Sequence, residues 1–297
     1  MLNSFKSLVL RTCALNILFV IFFVSAGFSN QSEERIYINR GEMLAVDSTY
    51  LPYLAFNESN VFNKTNTIIE LNIGDTLRLM TINTDTINHD LAVKNHASQN
   101  TTILALDSAI ITFIFNEAGA FIFHDPSENE RFRYLGLASM IIVKNPSHTN
   151  RSFYWNIKDH DKNFNTLLNQ DNSVSWNDYY PTYFTINGNS NPYINQDPLA
   201  RVTGSVGDTI LVYMVNTGQA IHSIHFHGYH STIIQSSKFP AHVGRSKDTF
   251  PVYNMELVVI EMVPDKVGEY PVHDHNLVAV TGGNMYPNGM FLTMLIK

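Results

Sequence analysis

Short stretches rich in Ile, Val, Phe, Thr and Tyr recur along the chain, separated by Gly, Asn, Asp and Pro. Runs of this length bounded by turn residues read as β-strands, because a helix needs a longer segment with a 3.6-residue period. Residues 67–73, 76–82, 110–115, 120–124 and 139–143 are examples. Only Lys162–Asn169 has a pattern that predicts a short helix. The expected class is all-β.

The pattern also repeats. Gly74-Asp75-Thr76 leads through Asn83-Thr84 to His89, and Gly207-Asp208-Thr209 leads through Asn216-Thr217 to His222 at the same spacing. Further on, Gly119-Ala120-Phe121-Ile122-Phe123-His124-Asp125 is answered by Gly268-Glu269-Tyr270-Pro271-Val272-His273-Asp274. Two tandem copies of one β-sandwich are expected, residues 33–145 and 150–297, with the polar stretch 144–150 between them. Met290 and Met294 fall in an apolar final strand and are expected to fill core.

The first 29 residues stand outside this pattern. Lys6 and Arg11 precede an apolar run, 15–24, that ends in Ser25, Ala26 and Gly27. That order is the order of a secretory signal peptide, with cleavage after Ala26 or Ser29, and the run is short for a membrane span. The mature chain is therefore expected in the periplasm or outside the cell, with no membrane span. Cys13, the single cysteine, would leave with the signal. Disulfides, thiolate ligands and cysteine nucleophiles are then all excluded. A net charge of −7 without any long charged run argues against nucleic acid or anionic membrane as partners.

Histidine changes the picture, with 12 residues in the chain. His225 and His227 lie two apart, as do His273 and His275, so on strands each pair projects from one face. Four converging neutral imidazoles suit copper, zinc, iron or nickel. A lone histidine in a β-protein is more often a hydrogen-bonded structural residue, and His96, His148 and His160 are read that way. Clustered imidazoles repel one another once protonated, so two such pairs favour a metal role.

The run His222-Ser-Ile-His225-Phe-His227-Gly228, then Tyr270-Pro-Val-His273-Asp274-His275, then Gly289-Met290 before the last strand, resembles the copper motifs of multicopper oxidases. The likeness covers most of the mature chain and is specific in the second domain. It implies tandem cupredoxin-like Greek-key β-sandwich domains and copper as cofactor, and it places His225, His227, His273 and His275 at trinuclear-cluster positions. It also implies a departure, because Asp274 and Asp125 stand where the cysteine of a type 1 copper site would stand. His222 matches a type 1 ligand position that lacks its partners, and is expected to orient a neighbour or extend the cluster. In the first domain only His124 and His89 stand at matching positions, since Ala92 and Lys94 replace the counterparts of His225 and His227; followed by Asp125 and Asp90, they are expected to supply one mixed histidine and carboxylate metal ligand or only support around the site.

Three functional classes follow. An exported copper-binding oxidoreductase would act on dioxygen or another small molecule. A copper-storage protein of the cell envelope would use the same histidines as a closed site. A degenerate structural pair would bind no metal and use residues 176–183 as a contact surface. By the same resemblance, a homotrimer could complete a half-built site between subunits. The charged run 130–134 is expected to be a solvated loop beside His124, placed to contact a ligand or a neighbouring subunit.

Overall fold

The computed structural model describes residues 31–96, 100–146 and 150–297; the segment expected to be a signal peptide and His148 lie outside the described residues. In the first half, β1 (Gln31–Leu44), β2 (Tyr50–Asn57), β3 (Ile69–Asn72), β4 (Thr76–Asn83), β5 (His89–Val93), β6 (Thr101–Ile103), β7 (Ser108–Ile114), β8 (Gly119–His124) and β9 (Ala138–Lys144) form two facing sheets. Their orders are β2-β1-β4-β7 and β3-β9-β8-β5-β6. Strict alternation in β4 sends Leu77, Leu79, Thr81 and Asn83 inward, which is how one face of a strand finds a core. Ile36, Phe56, Phe113 and Phe123 fill the space between the sheets.

The second half repeats the plan with β10 (Arg151–His160), β11 (Tyr183–Ile186), β12 (Thr203–Gly204), β13 (Ile210–Asn216), β14 (His222–Phe226), β15 (Ser231–Ser236), β16 (Ser246–Lys247), β17 (Thr249–Val252), β18 (Glu256–Met262), β19 (Gly268–Asp274) and β20 (Phe291–Ile296). The sheets run β11-β10-β13-β18-β15-β16 and β12-β20-β19-β14-β17. The sequence repeat has a structural counterpart, since β1 lies parallel to β4 as β10 lies parallel to β13. Trp155, Phe226, Phe250, Met290 and Met294 sit in the second core, the methionines as expected.

The halves meet sheet to sheet. Ala120, Ile122, Met140 and Ile142 on the outer face of β8 and β9 pack against Tyr154, Leu211, Tyr213, Val215, Leu257 and Val259 on the outer face of β10, β13 and β18. This explains why β9 and β13 are apolar on both faces rather than alternating. The sheet carrying β14 and β19 therefore lies on the far side of the second sandwich from the first.

Two helices interrupt the strands, α1 (Ser127–Leu135) and α2 (Lys162–Asn169). The expected helix, α2, forms with the expected bounds, and the Asp161 carboxylate caps it by accepting from the amides of Asn163 and Phe164. Phe164 and Leu168 then pack into the first core, with Val174 and Tyr179 alongside. A stretch that follows β10 in sequence thus covers the preceding sandwich. The run 130–134 departs from its reading as a solvated loop, because Phe132, Arg133 and Tyr134 are buried in α1. The Arg133 guanidinium donates to the carbonyls of Thr217 and Gly218 in the second half and pairs with Glu130, so its charge is satisfied without solvent.

Candidate metal centre

Antiparallel pairing of β14 with β19 sets His225 opposite His273. Alternation turns Ile224, Phe226 and Val272 into the core and the histidines outward, toward the exposed face of the sheet. The second member of each pair follows its strand. The His225 ring centroid lies 4.6 Å from that of His227, 5.6 Å from His273 and 5.6 Å from His275. His227 and His273 stand 5.2 Å apart by ring centroid, with their Nε2 atoms separated by 3.1 Å. The fold brings all four expected imidazoles together, and His227 and His275 are exposed.

The proton positions follow from the neighbours. Thr249 Oγ1 gives its single hydrogen to Asp248 and so accepts from His225 Nδ1, at 3.0 and 2.9 Å. His273 Nδ1 donates to the Asp274 carbonyl at 2.9 Å. With Nδ1 engaged in each, Nε2 is the ring atom left for a metal, and that of His273 faces His227. Two ring nitrogens 3.1 Å apart also have the separation that one ion imposes when it binds both at about 2.0–2.1 Å and an angle of roughly 100°. Desolvation, and then the nearby His225 and His273 rings, hold His227 below the usual histidine pKa, which keeps its nitrogen available. Among the described residues no group of three or more His, Cys, Asp or Glu side chains is already set closely enough to hold a metal ion.

His222 does not join them. Alternation turns it inward, where its Nδ1 donates to Asp274 at 2.6 Å and its Nε2 to Asp159 at 3.3 Å. Asp159 also accepts from the amides of Gln219 and Ala220 and from the Tyr179 hydroxyl. Burial opposes charge on His222, yet the two carboxylates outweigh it and raise its pKa to about 9. Burial likewise opposes the Asp159 anion, and the hydrogen bond from His222 leads the groups that hold it well below the usual carboxylate range. The ring is a buried cation with both nitrogens engaged. The expectation that it extends the cluster is corrected: it orients Asp274, and carboxylates on the inner side of the sheet take both of its nitrogens.

The expectation for His89 is corrected on geometry, since carboxylates take both of its ring nitrogens. Its Nδ1 donates to Asp125 at 2.7 Å and its Nε2 to Asp85 at 3.1 Å, while Arg40 pairs with Asp85. Burial opposes its charge too, and the two carboxylates again raise its pKa. Where the resemblance implied cysteine, each half thus places an aspartate that forms a buried ion pair with histidine.

His124 lies apart from the four. It lines an interdomain cavity of about 790 Å³ with Lys94, Glu130, Arg133, Trp176 and Tyr179. Its Nε2 is 4.0 Å from Glu130, and its buried Nδ1 has no hydrogen-bond partner. Burial keeps this ring below the ordinary histidine pKa. Asp159, Tyr179, Thr249 and Asp248 were not found by sequence reasoning. Asp248 and Thr249 lie about two dozen residues from His225, and the Asp159 to His222 contact spans 63 residues, so no local spacing marks them. His96 and His160 are structural, as read: His96 Nε2 meets the Ile114 carbonyl and His160 Nε2 the Thr185 hydroxyl.

Residues 159–296 match the family model for multicopper oxidases. Among solved structures, the chain is similar to a blue copper oxidase from Nitrosomonas europaea, at 20% identity and a TM-score of 0.76, covering 90% of this chain and 86% of that one. A multicopper oxidase named mgLAC shows 16% identity and a TM-score of 0.74 over 90% and 86% of the two chains. The copper nitrite reductase from Nitrosomonas europaea shows 15% identity and a TM-score of 0.71 over 90% and 94%. No curated protein matches by sequence. These likenesses agree with the architecture observed, two tandem cupredoxin-like sandwiches.

Proposed function

We propose that this chain is a copper-binding oxidoreductase of the multicopper oxidase kind, in which His225, His227, His273 and His275 hold the metal. The observation that carries the reading is the meeting of four imidazoles on one sheet face within a region, 159–296, that matches that family. The donor set is nitrogen alone, which suits copper along with zinc, iron and nickel, and the family match favours copper. Copper bound there would supply one-electron redox chemistry toward dioxygen or a small oxidisable ligand.

The chain's own residues supply the rest. Thr249, backed by Asp248, fixes the His225 ring, and the Asp274 carbonyl fixes His273, so each presents Nε2 outward. Asp274 also accepts from the amides of Ser223 and Asn276, which ties the turn bearing His275 to β14. His227 and His275 are exposed, and this favours an open site over a closed storage site. The same exposure suits completion of the site by a second copy, and a homotrimer belongs to this proposal. So does export, by the leader described above. Among the described residues no helix is long and apolar enough to cross a membrane.

The test is copper content per chain after reconstitution and dialysis, in wild type and in His225→Ala/His227→Ala. Retention in the first and loss in the second supports the site; no copper in either refutes it. Azide then separates open from closed, since an open site accepts the anion and changes its spectrum, whereas a closed one does not.

A further inference from the structure

A line of polar contacts crosses the second sandwich from the interdomain cavity to the histidine face. Trp176 and Tyr179 form part of the cavity wall. Trp176 is 40% exposed, enough to meet a solute, and its ring lies 5.7 Å from that of Tyr179 and 5.4 Å from that of Tyr134. Three oxidisable rings are thus in mutual contact, Tyr134 and Tyr179 being 5.8 Å apart. The Tyr179 hydroxyl donates to Asp159 Oδ2, the other oxygen of Asp159 accepts from His222, and His222 donates to Asp274. Asp274 is the residue between His273 and His275.

The packing is specific to this line. A Cβ on Gly218 would come within 1.9 Å of Asp159 Oδ1, so glycine is needed for the carboxylate to sit there. In the first half the register puts Arg40 where Asp159 stands, and Arg40 pairs with Asp85, the carboxylate that meets His89 Nε2; that guanidinium cannot be deprotonated. The only phenol on either buried pair among the described hydrogen bonds is that of Tyr179.

We infer that Tyr179 is a redox relay between the interdomain cavity and the histidine face, with Asp159 as the acceptor of its proton. In the forward step Tyr179 loses one electron to a one-electron oxidant at the histidine face, and its phenolic proton moves to Asp159 Oδ2. This leaves a neutral tyrosyl radical and a neutral carboxylic acid. In the return step a one-electron reductant in the cavity supplies an electron, directly or through Trp176, and the proton returns from Asp159. The physical basis is that an oxidised phenol is strongly acidic, so a carboxylate already accepting its hydrogen bond removes the cost of forming a buried charged radical. The inference rests on the proposed function for the identity of the oxidant at the histidine face.

The test avoids that dependence. The metal-free chain is oxidised by photogenerated ruthenium(III) tris-bipyridine, and the radical is trapped and read by electron paramagnetic resonance. Site-specific replacement of Tyr179 by fluorotyrosine should add a fluorine hyperfine splitting to the tyrosyl signal. The same replacement at exposed Tyr180 should leave the signal as it is. No fluorine splitting from position 179, or a splitting from position 180 in its place, overturns the relay. In the copper-loaded protein, Tyr179→Phe should slow reduction of the metal by an external one-electron donor while copper content stays unchanged; an unchanged rate also overturns it. Because the radical assay needs no copper and copper content needs no radical, failure of the relay and failure of the copper site are read separately.

Discussion

Replacing His222 by glutamine tests whether the inner face of β14 holds a cation. The native imidazolium bridges Asp159 and Asp274 with both nitrogens and is fully buried. Its pKa stands at about 9 against an ordinary 6.5. With each pH unit of difference worth about 1.4 kcal/mol, proton binding by His222 stabilises the fold by roughly 3 kcal/mol. The folded-state pKa is raised, so this contribution is fully present below pH 6.5 and is lost as pH rises to about 9, the window in which only the folded chain keeps the proton.

His222→Gln keeps a hydrogen-bonding side chain of similar reach but carries no charge, and it leaves two carboxylates facing each other in the core. At pH 6 the variant should be less stable by about 3–5 kcal/mol, the usual cost of removing one partner from a buried ion pair. At pH 9.5 the wild type has lost roughly 3 kcal/mol of its advantage, and the gap should narrow by that amount. Guanidinium unfolding of the metal-free proteins, followed by tryptophan emission with Trp155 buried in the second core, measures both gaps. His89 has the same sign of shift, but it is present in both proteins and cancels in the comparison. A gap of equal size at the two pH values would refute the argument, because it would mean that His222 is neutral in the native state.

Other consequences are open to the same kind of measurement. Thr249→Val removes the acceptor of His225 Nδ1 and should weaken copper binding by about 10–100-fold in a competition titration without unfolding the chain. Met140→Ala, in the apolar layer between the sandwiches, should cost about 2–5 kcal/mol in denaturant unfolding, whereas a loss below 1 kcal/mol would mean that the domains do not rely on that layer. Asp161→Ala deletes the cap of α2 and should lower stability by about 1 kcal/mol by the same method, more if its bond to the Tyr180 amide matters as well.

Alternation and turn residues made the strands legible, and the Gly-Asp-Thr to His spacing made the repeat legible, because both depend on neighbours along the chain. The two His-x-His pairs were legible for the same reason: period two places them on one face wherever a strand forms. His222 and His89 were not, since their spacing is that of ligands and only the sheet shows them turned toward Asp274 and Asp125. The segment 130–134 misled for a related reason. Its charges look solvated in sequence, and the carbonyls of Thr217 and Gly218, contributed from the other half, together with Glu130 allow Arg133 to be buried. Contacts that span many tens of residues carry no mark in composition or period.

The placement of α2 against the preceding sandwich bears on how the protein can be taken apart. A fragment ending at residue 146 would expose the apolar surface that Phe164, Leu168 and Tyr179 cover, including the neighbourhood of Leu135 and Leu137. The complementary fragment would carry an orphaned greasy strap. Expression of either half alone is therefore expected to yield sticky, poorly soluble material, and an excised first unit would need residues 161–180 grafted back. Such a clasp makes two similar sandwiches a single unit that folds and unfolds together.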